Sequence, residues 1–170
     1  MSLTIDEINH RSDSQFIELL GGIFEHSPWV AELVIPVRPF DSRDELHKSM
    51  AHAVRHAPEV QRMELLCRHP ELAGKEADAG TLTDDSKREQ AAAGLNQCSK
   101  QELDKIASLN LAYREKFDFP FIIAVTGLNK HQIIDAMEKR LANNEEVEFD
   151  TAIGEVEKIA RIRIDALIDV

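Results

Sequence analysis

One start signal recurs through the chain and restricts what it can become: Thr4 to Glu7, Ser42 to Glu45 and Ser99 to Glu102 each set a hydroxyl three residues ahead of a glutamate. In such a capping box the hydroxyl accepts an otherwise unpaired N–H of the first helical turn, and the carboxylate reaches back to the cap's own N–H. Ser27 before Pro28, Thr83 and Asn129 are further cap positions. Behind the caps, apolar residues, with the polar Asn110 among them, return at helical spacing: Leu46, Met50, Ala53 and Val54; then Leu103, Ile106, Asn110, Tyr113 and Phe117; then Ile133, Ile134, Met137 and Leu141. The class expected is all-α. With 170 residues, the most economical arrangement is a single domain over 1–170, a compact bundle of roughly eight to nine helices.

The remaining segments fit that frame. Gln15 to Leu20 reads as a short helix with Phe16, Leu19 and Leu20 on one face, broken by Gly21 and Gly22. Trp29, Val30, Leu33 and Val34 form another, stopped by Pro36, with Trp29 expected to anchor it in the core. Pro58 opens a helix expected to turn Val60, Met63, Leu66 and Cys67 inward and to deliver His69 at its exit. Gly74 to Gly80 reads as a loop, and Gly94 suits the left-handed position that ends the following helix. The apolar run Phe119 to Val125 has no partner strand in view, so it is expected to enter extended through Pro120 and continue as a short buried helix. The last helix, about Glu145 to Ile168, puts Ala152, Val156, Ile159, Arg163, Ala166 and Leu167 inward, with Arg161 pairing with Glu157 on the polar side.

A formal net charge of -11 disfavours nucleic acid or an anionic membrane as partner, since both call for clustered Lys and Arg. No apolar run approaches the ~18 residues of a membrane span. Cys67 and Cys98 stand far apart with no CxxC spacing, which speaks against a disulfide framework or a zinc knuckle and for a reducing cytoplasm.

Chemistry concentrates between His69 and Gln90. Pro70 disfavours helical geometry at His69, so the imidazole stands at a helix exit. Ser86, Glu89, Gln90 and Ala93 fall at i, i+3, i+4 and i+7, a hydroxyl, a carboxylate and an amide on one stripe. Arg163 is a guanidinium on an apolar face, where it needs an anion or several acceptors. Each has a plainer explanation: a hydrogen-bonded structural histidine, a helix carboxylate paired with lysine, an arginine paired with a protein carboxylate. His52 and His56 at i and i+4 have metal-ligand spacing but lack a convincing third ligand, so no metal is expected.

The blocks HPELAG, SKREQAAAGL, LNLAYREKFDFPFIIAVTG and EVEKIARIRIDAL, in that order, resemble the OHCU decarboxylase family across nearly the whole chain. The family usually reads FGFPFI where this chain has Asp118, and Asp tolerates positive φ better than most residues. The resemblance implies an enzyme of urate breakdown that converts 2-oxo-4-hydroxy-4-carboxy-5-ureidoimidazoline to (S)-allantoin as a homodimer. It also implies His69 and Glu89 as catalytic groups, with Pro70, Ser86, Gln90, Arg163 and the backbone of Phe121 and Ile122 holding an anionic small molecule. No cofactor is expected, because the substrate's own imine can accept the electron pair that decarboxylation releases. The C-terminal LIDV lacks the peroxisomal address common in eukaryotic members, which favours the cytoplasm. The rival reading is a helical binding or scaffold domain without chemistry.

Overall fold

The computed structural model describes residues 2–170. Among the described residues ten α-helices follow one another: α1 (Ile5–Asn9), α2 (Asp13–Leu20), α3 (Trp29–Val34), α4 (Arg43–Arg55), α5 (Glu59–Cys67), α6 (Lys75–Asp78), α7 (Asp84–Ala92), α8 (Lys100–Phe117), α9 (Lys130–Arg140) and α10 (Glu145–Leu167). Short 3-10 turns lie at Ile35–Val37 and Leu95–Gln97. The class is all-α; among the described residues the one β-type pairing is an isolated bridge between Leu3 and Ile168.

The caps explain where the helices begin. Thr4, Ser99 and Asn129 form full capping boxes, and Ser12 adds one with Gln15 that the glutamate pattern did not reveal. Ser42 accepts from Glu45 N, but the Glu45 carboxylate accepts from Asp41 N at 2.6 Å, one residue before the cap. Ser27 does not cap: its hydroxyl donates to Glu25 O, and α3 starts behind Pro28 with no side-chain cap.

The chain clusters into two units. The first runs to Arg68 and includes Val156–Val170; the second is His69–Glu155. In the first, α3 packs against α2 and α4, and Ile8, Phe16, Leu20, Val30, Leu46, Met50 and Val54 are fully buried. Its two chain ends are joined: Leu3 N donates to Leu167 O at 3.0 Å and Asp169 N to Leu3 O at 2.8 Å. Asn9 and Phe40 exchange two side-chain-to-backbone bonds of 2.8 Å each.

Three expectations are corrected within this unit. Trp29 is only half-buried and lines a surface hollow with Glu32, Gln61, Glu64 and Arg68. A large ring on a helix of one and a half turns can rest its body on the surface and keep its polar edge wet. On α5 the inward residues are Leu65 and Leu66, whereas Val60 is 80% exposed and Cys67 is exposed. Apolar residues lie on several sides of this short helix, so periodicity alone misassigns its inward face. Arg161 pairs with Asp44 (2.7 Å) and Asp165 (3.0 Å), while Glu157 takes Arg55 at 2.6 Å. Distant Asp44 and Arg55, with Asp165 one turn further on, displace the Glu157–Arg161 pair.

In the second unit, α8 carries the core with Ile106, Leu109, Tyr113 and Phe117 buried, and Ile133 and Met137 of α9 are buried too. Gly94 (φ 81°) turns the chain after α7, and Asp118 (φ 64°) adopts the same left-handed conformation as the C-cap of α8. The expected short helix after Pro120 is absent, since residues 119–125 run irregularly although Phe119, Phe121, Ile122 and Val125 are buried. Buried backbone must still be satisfied. Here side chains do it: Arg140 Nη1 donates to Ile122 O at 2.6 Å, and Ala124 N donates to Glu155 Oε2 at 3.0 Å.

Candidate functional site

Seven of the eight residues singled out from the sequence lie in the second unit. His69, half-buried, follows the end of α5 by one turn residue, and Pro70 behind it is buried. The loop His69–Gly74 has no regular structure beyond a turn, and Ala73 sits at φ 45°, a conformation that costs a residue with a side chain and must be held by its surroundings. Three side chains hold it. Ala73 N donates to Gln90 Oε1 at 2.9 Å, and Gln90 Nε2 reaches back to Glu71 O at 3.5 Å. Asn110 Nδ2, from the buried face of α8, donates to Leu72 O at 3.0 Å. Arg114 Nε meets the Glu71 carboxylate at 3.0 Å.

α7 presents the expected stripe. Thr83 caps it by accepting from Ser86 N, and Asp84 and Asp85 in its first turn complement the positive end of the helix dipole. Ser86, Gln90 and Ala93 are 3%, 6% and 5% exposed, Glu89 is half-buried, and Lys87 and Arg88 face water. An α7 face with a buried hydroxyl and a buried amide is unusual for a helix that only needs packing, because each polar group costs free energy unless it is bonded. Gln90 meets part of that cost by bonding the loop behind His69, so the amide ties the imidazole's segment to the helix bearing Glu89.

The segment after α8 brings Phe121 and Ile122, each 1% exposed, into the same unit. The Phe121 ring stands edge-on to Tyr113 (5.2 Å between centroids) and beneath the Arg140 guanidinium (4.3 Å). Arg140 is anchored in turn by Glu148, a carboxylate with no exposed surface, at 2.5 Å. Tyr113 Oη at 2.6 Å and Asn143 Nδ2 at 3.0 Å complete the shell of that carboxylate. Burial, and then the bond to Glu148, push the Tyr113 hydroxyl far above its ordinary range.

Arg163 belongs to the first unit. Its side chain is 3% exposed, with Nη2 at 3.8 Å from Glu25 Oε1 and Nη1 at 3.5 Å from Gly22 O. Both distances exceed the 2.7–2.9 Å usual for a charge-assisted bond. The arginine therefore has a buried protein carboxylate beside it, the ordinary accommodation for a buried guanidinium.

His52 and His56 stack at 3.8 Å between ring centroids on the exposed face of α4, with His56 Nδ1 2.9 Å from His52 O. Among the described residues, no group of three or more His, Cys, Asp or Glu is arranged to hold a metal ion. No helix there is long and apolar enough to cross a membrane.

The sequence left four contributors unassigned: Asn110, Glu71, Arg140 and Glu148. Asn110 carried a signal, being a polar residue at an apolar position of α8. Arg140 and Glu148 carried none, since a lone Arg near a helix end and a Glu in a first turn both read as dipole partners.

The family model described as OHCU decarboxylase matches residues 9–165. A 2-oxo-4-hydroxy-4-carboxy-5-ureidoimidazoline decarboxylase of Haloferax volcanii is 42% identical over 162 residues, covering 95% of this chain and 94% of that protein. The decarboxylase of the same name from Xenopus laevis is 36% identical, with 95% and 93% covered. The uric acid degradation bifunctional protein PucL of Bacillus subtilis is 39% identical over 97% of this chain, which spans only 33% of that longer protein. A crystal structure of (S)-allantoin synthase superimposes with a TM-score of 0.78 at 32% identity, over 98% of this chain and 55% of that one, so the chain spans about half its length. A crystal structure of OHCU decarboxylase in the presence of (S)-allantoin has a TM-score of 0.69 at 21% identity, with 94% and 100% covered, a likeness of fold.

Proposed function

The chain belongs to the OHCU decarboxylase family, and on that premise we propose that it decarboxylates 2-oxo-4-hydroxy-4-carboxy-5-ureidoimidazoline to (S)-allantoin in urate breakdown. The observation that carries the reading is the extent of the match: it runs from residue 9 to residue 165 and takes in His69, Glu89 and Arg163. Geometry lends support through the loop bearing His69, which is tied by Gln90 to the helix bearing Glu89.

The chemistry needs orientation and proton handling. The carbon to be stripped bears a hydroxyl and a carboxylate and adjoins an imine. When the bond to the carboxylate breaks, CO2 leaves and the electron pair passes into the imine, giving an enol-type intermediate. His69 acts as base or proton shuttle at the hydroxyl, a role suited to an imidazole that titrates near neutrality. Glu89 serves at the departing carboxylate or at the carbon to be protonated. Protonation on one face leaves a single enantiomer. Ser86, the spare N–H of Gln90 and the amides of Phe121 and Ile122 hold the ring and ureido groups, with Pro70 against them. Such fixed orientation lowers a barrier by removing the entropy of alignment. Arg163 enters this reading through its place in the final-helix motif and on a buried face. The 170 residues act as one catalytic domain, without a cofactor, on a small anionic molecule, as a homodimer in the cytoplasm.

A chirality-resolved assay tests the reading. Freshly generated precursor decays spontaneously to racemic allantoin; the wild-type protein is expected to speed its loss and give one hand. His69→Asn is expected to keep the helical circular dichroism and lose most of that excess. Racemic product at the uncatalysed rate from wild type would leave a scaffold domain as the better description.

A further inference from the structure

The segment 119–125 is buried but belongs to neither helix nor strand, so nothing repetitive in the backbone fixes where its amides point. Its conformation depends on side chains that reach it from later helices. Arg140 of α9 makes three kinds of interaction from one planar group. Nε bonds Glu148, Nη1 donates to Ile122 O at 2.6 Å, and the guanidinium face covers the Phe121 ring at 4.3 Å. Glu148 cannot drift, because it is wholly buried and also receives Tyr113 and Asn143. The order of support is therefore Glu148, then Arg140, then the Ile122 carbonyl and the Phe121 ring, two points that flank the peptide bond carrying the Ile122 N–H.

A buried ion pair is a poor device for stability alone, because desolvating both charges cancels much of their attraction and an apolar pair of similar volume serves as well. Its strength is geometric: a rigid planar fork bonded at one edge to a fixed carboxylate fixes the direction of its other edge. A further detail agrees. Arg140 Nη2 is buried and has no acceptor among the described residues, whereas a guanidinium serving the fold alone is normally matched at every buried donor. We propose that Arg140, locked by Glu148, is a positioning residue of this enzyme: by pinning the Phe121 ring and the Ile122 carbonyl it holds the course of the backbone whose Phe121 and Ile122 amides hold the substrate ring. This rests on the decarboxylase reading above for what those amides do, and on the bonds of Arg140 for how they are held.

Arg140→Lys tests it. Lysine keeps the charge next to Glu148 but has no planar fork to bond a carboxylate and a carbonyl at once or to lie flat on a ring. Ile133→Ala, at a buried position of the same helix with no bond to the segment, serves as the destabilised control. The measurements are KM and kcat well below each melting temperature, and amide hydrogen exchange at residues 121–125 in the full-length protein. Arg140→Lys is expected to raise KM about tenfold with kcat within about threefold, the pattern that follows when ground and transition states are bound less tightly to the same degree. It should also speed exchange across the segment about tenfold or more. Ile133→Ala should lower the melting temperature and leave KM and the relative protection of the segment unchanged. If Arg140→Lys fails to fold, Glu148→Gln, which keeps an oxygen acceptor for Arg140, takes its place and should show the same pattern more weakly. Unchanged KM or unchanged exchange in the folded variant overturns the proposal, as does an equal rise of KM in Ile133→Ala. Exchange is read without substrate, so a wild type that produces no allantoin would end the decarboxylase reading and still leave the clamp judged on its own.

Discussion

Removing one oxygen atom from the middle of α8 gives a sharp test of how the second unit is held together. Tyr113 has no exposed surface, and its hydroxyl donates at 2.6 Å to Glu148, which is equally buried. In Tyr113→Phe the ring keeps its neighbours Phe117, Phe119 and Phe121 at centroid distances of 4.6, 5.8 and 5.2 Å, so the packing is largely preserved. What disappears is one hydrogen bond to a charged acceptor, about 1.5–3 kcal/mol in a buried setting. Because Arg140 and Asn143 still bond the carboxylate, the cost should fall in the lower half of that range, roughly 1.5–2 kcal/mol. For a chain of this size that is a loss of about 3–8 °C in melting temperature. In urea the midpoint should fall with the slope unchanged. The alkaline limb gives a second check. The folded environment favours the neutral hydroxyl, so its contribution is complete below about pH 10, the ordinary tyrosine value, and is lost as pH rises toward the higher folded value. The difference between wild type and Tyr113→Phe should therefore shrink above about pH 10. A loss below about 0.5 kcal/mol at pH 7, or a gap constant into the alkaline range, would refute the account of Glu148 as a carboxylate held by three donors.

Other perturbations probe separate parts of the protein. Arg163→Lys should weaken substrate binding at least about tenfold more than Arg161→Lys, because Arg161 serves Asp44 and Asp165 on the surface and a lysine at 163 loses the planar fork; comparable KM values in steady-state kinetics would remove Arg163 from the site. Lys130, by its bond to Glu102, together with the Ser99 backbone, holds the Glu102 carboxyl down at about 2. A depressed carboxylate contributes above its ordinary pKa near 4.5 and loses that contribution as pH falls through about 2. Thermal melts of Glu102→Gln against wild type should thus differ at pH 6 and converge toward pH 2–3, and a gap independent of pH would count against the pairing with Lys130.

How much of this was legible depends on how local each interaction is. Thr4, Ser42, Thr83, Ser99 and Asn129 act on amides three residues away, so a reader of the sequence finds these helix starts at once, and the all-α class follows. The stripe Ser86, Glu89, Gln90 was likewise fixed by helical geometry alone. The segment after Pro120 was misread because its backbone is satisfied by Arg140 and Glu155, 18 and 31 residues downstream, and spacing rules carry no such information. Arg161 failed for the same reason, its i−4 neighbour Glu157 being taken by Arg55, 102 residues before it. Asn110 stood in plain view on an apolar stripe; only the folded arrangement reveals that it grips the carbonyl of Leu72.

The backbone exchange between Leu3 and the stretch Leu167–Asp169 makes the first unit's two extremities a single cooperative seam. If Leu3 lifts away, Leu167 O and Asp169 N are stranded together, and the buried Ile168 beside them is left with one wall fewer. Fraying at one end is thereby coupled to fraying at the other, although the two are separated by nearly the full length of the sequence.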